Sequence, residues 1–382
     1  MKRLIVKTLI LMMALGGTLT AWGQEGSEQF TLATLNVDGL PQKLLVVKLN
    51  PDGPGDAGTA RIGKYLVKKG YDLVMMQEDF NYHDVLTVWL EDDYKLDEWS
   101  GDLVVELFGE RKVDFLHLQN HRFDCDGLMA AWKNDLQVTP AVRTPWKQNF
   151  GKFSHANDEM VTKGFRRYDV TLRSGERIVV YNMHMDATLN KDEEEGKGEK
   201  DHEARMAQWA QLKEDVLQQL DSRPIIITGD LNSLYGRDEV KSVFIDAINE
   251  SGRGTASDVW VELKCNGVYP TETVTETTAG EETYDKIIFI NPTIGTSIQP
   301  VDITIDREGY LYNGKPLGDH WPVAATFQVN NKLTPSAIID GLDRATTNES
   351  QYYNLNGQRV SQPQNGIYIE QQGQKAEKRI IK

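Results

Sequence analysis

The stretch RPIIITGDLN, residues 223–232, decides the fold class of this chain. Its apolar run is short, rich in β-branched residues and bounded by turn residues, which is typical of a strand. The strand stops in a Gly-Asp-Leu-Asn turn, so Asp230 and Asn232 lie where the strand meets a loop. Apolar strands that end in acidic, amide or imidazole residues recur along the rest of the chain.

Strands and helices mix on both sides of this stretch, and the sequence has no internal repeat. The mostly apolar run at 72–78 is expected for a strand buried on both faces, and Gly70 before it is a helix C-cap. The patterns together predict an α/β fold. Further strands are predicted at 30–37, 166–172, 177–185, 284–290 and 321–329, and helices at 59–70, 203–220 and 238–251.

Polar residues with catalytic chemistry fall at the ends of these strands. A single carboxylate at a strand end is usually a turn residue, but so many such positions with these residue types indicate one shared site. They are Asn36, Glu78, His184, Asp230, Asn232, Asp285, Asp319 and His320.

Three of these residues offer hard oxygen ligands, namely Asn36, Glu78 and Asp319. They are too few for a calcium cage but suit a partly hydrated Mg²⁺ or Mn²⁺. The sequence has no H-E-x-x-H motif, cysteine cluster, G-x-S-x-G motif or P-loop. A hydrated divalent ion is suited to phosphate esters, because it neutralises charge on the phosphate oxygens.

The Asp319-His320 pair stands between a glycine and the last strand. His320 can act as a general base on water, which contributes roughly 10²–10⁴ in rate. Asp285 can hold the tautomer of His320 by accepting from its other ring nitrogen. In this interpretation Asp319 faces the metal and His320 faces the water.

Composition bounds the function and the compartment. With 382 residues, 40% of them hydrophobic, the chain can form a large core, and a net charge of −15 argues weakly against sequence-independent DNA binding. Residues 1–23 have a basic start, an apolar run and a small-residue ending, which predicts a signal peptide and export; a membrane anchor is the alternative. Cys125 and Cys265 either pair in an oxidising compartment or stay separate.

The motifs TLNV, MMQED, VYNMHMDA, IITGDLNS, YDKIIF and GDHWPV occur in order from Phe30 to Val329. In order and spacing they resemble the endonuclease/exonuclease/phosphatase family, which includes DNase I-like nucleases, abasic endonucleases, bacterial sphingomyelinases and inositol-phosphate phosphatases. The resemblance implies a four-layer α/β sandwich of two packed mixed β-sheets over residues 24–332. The site is then expected at one edge, where strand ends converge.

The resemblance also implies a role for each matching residue. Glu78 is the principal metal ligand, with Asn36 and Asp319 beside it. His320 is the catalytic imidazole, and Asp285 orients it. Asp230 and Asn232 position the phosphate and the attacking water, and His184 donates to the phosphoryl oxygens or the leaving group.

The end of the chain has a different composition. A polar linker at 333–351 leads to residues 352–382, which predict short strands separated by Asn-Gly and Gly turns. This tail resembles the C-terminal sorting domains of type IX-secreted proteins, which implies a contact with secretion machinery. A small β appendage without a transport role is the alternative.

The substrate is predicted to be a lipid or another small diester, as for a sphingomyelinase, cleaved without a covalent intermediate. The alternatives are an extracellular nuclease, a phosphomonoesterase and a non-catalytic binding protein. No exposed aromatic or apolar hairpin for membrane docking is evident in the sequence. No stable protein partner is implied. Lys163, Arg166 and Arg167 are candidates to meet an anionic substrate, or else line an exposed strand edge.

Overall fold

The computed structural model describes residues 28–99, 104–118, 122–189, 198–237, 239–271 and 284–333, and, in the tail, 351–354, 359–360, 363–372 and 375–381. The predicted signal peptide lies outside these residues, as does the predicted linker apart from its two end positions. No helix within the described ranges is long and apolar enough to cross a membrane.

Two large sheets form the body. The first sheet contains six strands in the order β16-β19-β1-β4-β8-β5. These strands are β1 Gln29–Asn36, β4 Leu73–Gln77, β5 Tyr94–Leu96, β8 Met129–Lys133, β16 Gly295–Ile305 and β19 Val323–Leu333.

The second sheet has seven strands in the order β10-β11-β12-β13-β15-β14, with β9 paired to β11. The strands are β9 Gln137–Val138, β10 Val142–Pro145, β11 Gly164–Thr171, β12 Arg177–His184, β13 Ile225–Asp230, β14 Gly254–Asp258 and β15 Asp285–Pro292.

Small hairpins and helices complete the body. The hairpin strands are β2 Lys43–Leu44, β3 Val47–Lys48, β6 Val104–Leu107, β7 Glu110–Val113, β17 Leu311–Tyr312 and β18 Lys315–Pro316. The α-helices are α1 Gly55–Lys69, α2 His83–Thr87, α3 Glu199–Gln219, α4 Asp246–Glu250 and α5 Val259–Lys264. The helix predicted at 238–251 is a π-helical turn at Glu239–Ile245 followed by α4, and a 3₁₀ turn spans Asp158–Met160.

The tail residues that are described form a separate four-stranded sheet in the order β21-β20-β22-β23. Its strands are β20 Gln351–Tyr353, β21 Arg359–Val360, β22 Gly366–Gln372 and β23 Lys375–Ile381. In the body, Cys125 and Cys265 are both free thiols, so they do not pair in this structure.

Three apolar layers hold the body together. Phe30 and Leu32 of the first sheet pack against Ile178, Val180 and other residues of the second, which forms the core between the sheets. Helix α1 covers the outer face of the first sheet, and α3 covers the outer face of the second. The layers therefore run helix, sheet, sheet, helix, as the resemblance to the family implied.

The inward-facing residues of each central strand are apolar along most of the strand and polar at one end. In β12, Ile178 and Val180 enter the core between the sheets, whereas Val179 and Tyr181 pack under α3. The same inward parity continues through Asn182 to His184, because alternate residues of a strand share a face. The site is thus the polar end of the inter-sheet core. Residues of matching parity on the other strands are Thr34, Asn36, Gln77, Thr228, Asp230 and Asp285.

Buried polar contacts cross between the sheets below the site. Asn182 accepts a hydrogen bond of 2.7 Å from Gln77 and donates to the carbonyl oxygens of Met76 and Met129. Arg166 of β11 donates to Asp97 and Asp126, which adjoin strands of the first sheet. Arg166 is buried, so the suggestion that it meets the substrate is wrong. Arg167 pairs with Asp215 of α3.

Arg166→Ala should lower the free energy of unfolding by about 3–5 kcal/mol, because it leaves buried carboxylates without their main partner. Arg173→Ala is the matched control. It removes ion pairs to Asp72 and Asp135 at the surface, and about 1 kcal/mol or less is expected. Urea unfolding of both variants checks this, and equal losses would contradict a structural role specific to Arg166.

Candidate active site and metal centre

Strand register assembles the core of the site. His184 is the cross-strand neighbour of Asp230 on the parallel pair β12–β13. Asp230 in turn faces Asp285 on the antiparallel pair β13–β15. Three adjacent strands therefore place these side chains in one row, and the distance from His184 Nε2 to Asp230 Oδ2 is 3.3 Å.

Asn36 joins this row to the first sheet. Its amide nitrogen donates to Glu78 Oε1 at 3.0 Å and to Asp230 Oδ2 at 3.1 Å. Its side-chain oxygen accepts from the backbone N–H of Asp38. One amide group thus contacts two carboxylates that come from different sheets.

Ligand atoms of Glu78, His184 and Asp230 lie within 4.8 Å of one another, close enough to hold one metal ion. This is the one group of that kind in the described part of the chain. The set differs from the predicted ligands Asn36, Glu78 and Asp319, since it includes a histidine and an aspartate of the second sheet. The two sets share Glu78.

Asp319 and Asp38 add negative charge beside this group. Burial and the charge of Asp319 raise the pKa of Glu78 to about 7. Burial, Asp319 and Glu78 together raise the pKa of Asp38 to about 8. Carboxylates so crowded lack a positive partner of matching strength, which is the electrostatic environment that a divalent cation neutralises.

His320 is held as the sequence predicts for an oriented imidazole. Its Nδ1 lies 2.7 Å from Asp285 Oδ2, and its Nε2 lies 3.6 Å from Asp230 Oδ2. Burial opposes charge on the ring, but Asp285 and Asp230 outweigh burial and raise the pKa of His320 well above its ordinary value. The dyad leaves Nε2 directed toward the carboxylate row.

His184 has the opposite electrostatic environment. Burial and the neighbouring Lys163 ammonium hold its pKa well below the ordinary value, so the ring is neutral. Lys163 Nζ lies 3.0 Å from His184 Nε2 and forms an ion pair with Asp158. The two histidines of the site therefore have pKa values shifted in opposite directions.

Three residues of the site have an unusual backbone conformation. Asp38, Glu78 and Asn232 have left-handed φ values of 52°, 56° and 47°, which non-glycine residues rarely adopt. Asn232 is fixed there by its N–H bond to Asp230 Oδ1 and by its side-chain bond to the Met185 carbonyl. Strain of this kind is frequent at functional sites.

A cavity of about 490 Å³ opens from Glu78, Lys163 and His184. Its other walls are mostly apolar, which is typical of a pocket for a ligand with a hydrocarbon portion. They include Leu40, Leu44, Leu49, Phe80, Phe115, Leu118, Phe123, Phe153, Met160 and Val161.

All eight predicted residues reach this region, Asp319 through its electrostatic effect on Glu78. The sequence analysis missed Asp38, which follows Asn36 at the end of the same strand and fits the same rule. It missed Asp158 because that residue lies in a loop without a strand pattern. Of the two alternatives for Lys163, the exposed strand edge is wrong, because the residue is buried in the cavity wall beside His184.

Comparison with known proteins shows the family of the chain. Residues 33–279 match the endonuclease/exonuclease/phosphatase family, as the sequence analysis predicted. A sphingomyelinase from Mycobacterium tuberculosis is 27% identical over 304 residues, which cover 79% of this chain and 53% of that protein. The chain thus spans about half the length of this relative.

Solved structures share the fold. TDP2 from D. rerio, complexed with a single-strand DNA product, is 17% identical with a TM-score of 0.52, covering 78% of this chain and 99% of that one. A mutant of beta toxin from Staphylococcus aureus with bound magnesium ions is 17% identical with a TM-score of 0.50, at the same coverage. Together with the layer order, these likenesses confirm the predicted DNase I-like sandwich.

The crowded carboxylates predict a pH dependence in EDTA. The folded state holds the Glu78 proton up to about pH 7, above its ordinary pKa of 4.5. The folded protein therefore binds more protons than the unfolded chain in this window, and the stability contributed by Glu78 falls as pH rises. Urea unfolding should show a smaller fall in Glu78→Gln than in the parent.

Mg²⁺ should stabilise the parent at neutral pH and stabilise Glu78→Gln much less, since a ligand that binds only the folded state raises its stability. Thermal midpoints with Mg²⁺ and with EDTA measure this. An equal Mg²⁺ effect on both proteins would exclude Glu78 as a ligand.

Proposed function

Because the chain belongs to the endonuclease/exonuclease/phosphatase family, we propose that it is a divalent-metal-dependent phosphodiesterase that uses water as its nucleophile. The observation that carries the proposal is that a possible metal-ligand group lies next to an oriented imidazole. Glu78, His184 and Asp230 form the group, and His320 lies within 3.6 Å of Asp230.

Mg²⁺, or Mn²⁺ in its place, is the proposed cofactor. Glu78, Asn36 and Asp319 are its proposed ligands, with Asp230 and His184 close enough to contribute. When bound, the ion supplies positive charge to the phosphate oxygens and the leaving oxygen. The donor set fits a hard cation, because carboxylate oxygens predominate in it.

His320 is the proposed general base. Asp285 accepts from Nδ1, which leaves Nε2 as the acceptor for a proton of water. Asp230 and Asn232 would hold that water and the phosphate in line. Lys163 Nζ donates to His184 Nε2 at 3.0 Å and would hold that ring beside the phosphate.

A lipid or other small diester is the proposed substrate. The mostly apolar cavity beside the carboxylate row supports a substrate with hydrocarbon groups, and so does the similarity to a sphingomyelinase. A nuclease is the second candidate, because the similar fold of TDP2 was solved with a DNA product. The net charge of −15 favours the first.

We also propose that the chain is exported through its N-terminal leader, with cleavage after Gly23. The tail from residue 352 to 382 is the candidate contact with secretion machinery. Its support is the sequence pattern of short strands and Gly turns.

Hydrolysis by the chain from Gln24 onward should require Mg²⁺ or Mn²⁺ and stop in EDTA. A panel of bis-p-nitrophenyl phosphate, sphingomyelin, plasmid DNA and a phosphomonoester separates the candidate substrates. His320→Ala should lose about 10²–10⁴ in rate, and His117→Ala, whose side chain is 75% exposed, is the matched control. Undiminished hydrolysis by His320→Ala would refute the mechanism.

Asp285→Asn should shift the acid limb of the kcat/KM profile to lower pH by about 1–3 units, because the variant loses the carboxylate that raises the pKa of His320. The rate on the plateau should fall as well, since the ring loses its fixed tautomer. If the folded variant kept the acid limb of its kcat/KM profile at the same pH, that limb would report the titration of a group other than His320.

A further inference from the structure

An exposed apolar hairpin adjoins the cavity, contrary to the expectation that the chain has none. Strands β2 and β3 present Leu45 and Val46 at their turn, with 78% and 96% of each side chain exposed. Leu44, which ends β2, and Leu49, which follows β3, line the cavity. The hairpin therefore carries an apolar surface from the cavity wall out into solvent.

Other exposed apolar residues extend this surface around the mouth of the cavity. Phe153, 77% exposed, and Leu118 both line the cavity from separate loops. The apolar rim is defined here as Leu44, Leu45, Val46, Leu49, Leu118 and Phe153. Exposed apolar side chains gathered on one surface mark an interaction site, whereas scattered single ones need no explanation.

The backbone conformation at two positions of the apolar rim is unfavourable for a large side chain. Leu45 and Phe153 have left-handed φ values of 55° and 57°. That conformation costs roughly 1 kcal/mol for a non-glycine residue. Glycine or asparagine would relieve the cost at both positions, so a large apolar side chain there is retained at the expense of stability.

The charge next to the rim identifies the kind of partner. Lys43 and Lys48 are cross-strand neighbours in the hairpin, so two ammonium groups lie on one face. Neither has an acidic partner among the residues that the structure describes, and like charges placed opposite each other destabilise a strand pair. Lys152 is exposed beside Phe153. A basic border is unusual for a chain of net charge −15.

We propose that the hairpin and the apolar rim dock this protein onto a lipid bilayer that carries anionic headgroups. Leu45, Val46 and Phe153 would enter the boundary between headgroups and acyl chains, and the three lysines would contact headgroup phosphates. The cavity would then receive the hydrocarbon part of a lipid diester directly from the surface. This last step, and only it, rests on the proposed phosphodiesterase function.

Flotation with vesicles tests the docking without any catalytic readout. Vesicles of phosphatidylcholine, with and without phosphatidylserine, are mixed with the chain from Gln24 onward. Leu45→Asp combined with Val46→Asp should reduce vesicle binding by at least about tenfold, because acidic residues cannot enter the hydrocarbon boundary. Lys43→Gln combined with Lys48→Gln should remove most of the gain due to phosphatidylserine and leave binding to phosphatidylcholine vesicles unchanged.

Ile294→Asp is the matched control. Ile294 is also an exposed apolar residue, but it follows β15 at the end of the strand that is remote from Asp285. This variant should bind vesicles as the parent does. Val46→Asp alone, at an almost fully exposed position, serves if the double variant fails to fold.

The outcomes separate docking from catalysis. A parent that cleaves bis-p-nitrophenyl phosphate but floats with neither vesicle overturns the docking and leaves the proposed function standing. A parent that floats with the vesicles but cleaves nothing on the substrate panel overturns the proposed function and leaves the docking standing. Equal flotation of the parent and the Leu45 and Val46 variant overturns the docking surface. Release of the parent from vesicles by a single-stranded oligonucleotide would assign the surface to nucleic acid instead.

Discussion

The side-chain amide of Asn36 is the contact on which the rest of the site depends. It donates to a carboxylate of each sheet, Glu78 at 3.0 Å and Asp230 at 3.1 Å. Without such a donor, the repulsion between these two acids from separate sheets would be less well compensated. The amide thus links the two sheets at this edge. The imidazole of His320 contacts the same carboxylate, because its Nε2 lies 3.6 Å from Asp230 Oδ2.

Strand parity explains why much of the site could be predicted from the sequence. Each central strand alternates between the inter-sheet core and a helix layer, and its polar end keeps the inward parity of its apolar part. Asn36, His184, Asp230 and Asp285 could be found because each stands at one end of an apolar strand. Most central strands were predictable from their apolar patterns, whereas the layer order was implied by the resemblance to the family. Asp38 obeys the rule too and was overlooked.

Other features had no local signal. Asp158 and Lys163 lie in or beside a loop, and only tertiary packing brings them to His184. The run QKLLVVKLN, residues 42–50, has the composition of a buried strand, and nothing in it shows that its turn points into solvent. Arg166 looked like a surface cation because its partners, Asp97 and Asp126, are distant in sequence. Long-range pairing is what a pattern within one segment cannot contain.

The left-handed leucine of the β2–β3 turn has an evolutionary consequence. A turn that only had to reverse the chain would gain stability from glycine or asparagine, and mutation supplies those residues readily. In a lineage that kept the carboxylate row but no longer bound a lipid bilayer, nothing would oppose replacement of this leucine by glycine or asparagine. The residue at position 45 in descendants and relatives would then record where each of them works, independently of the chemistry that the strand ends preserve.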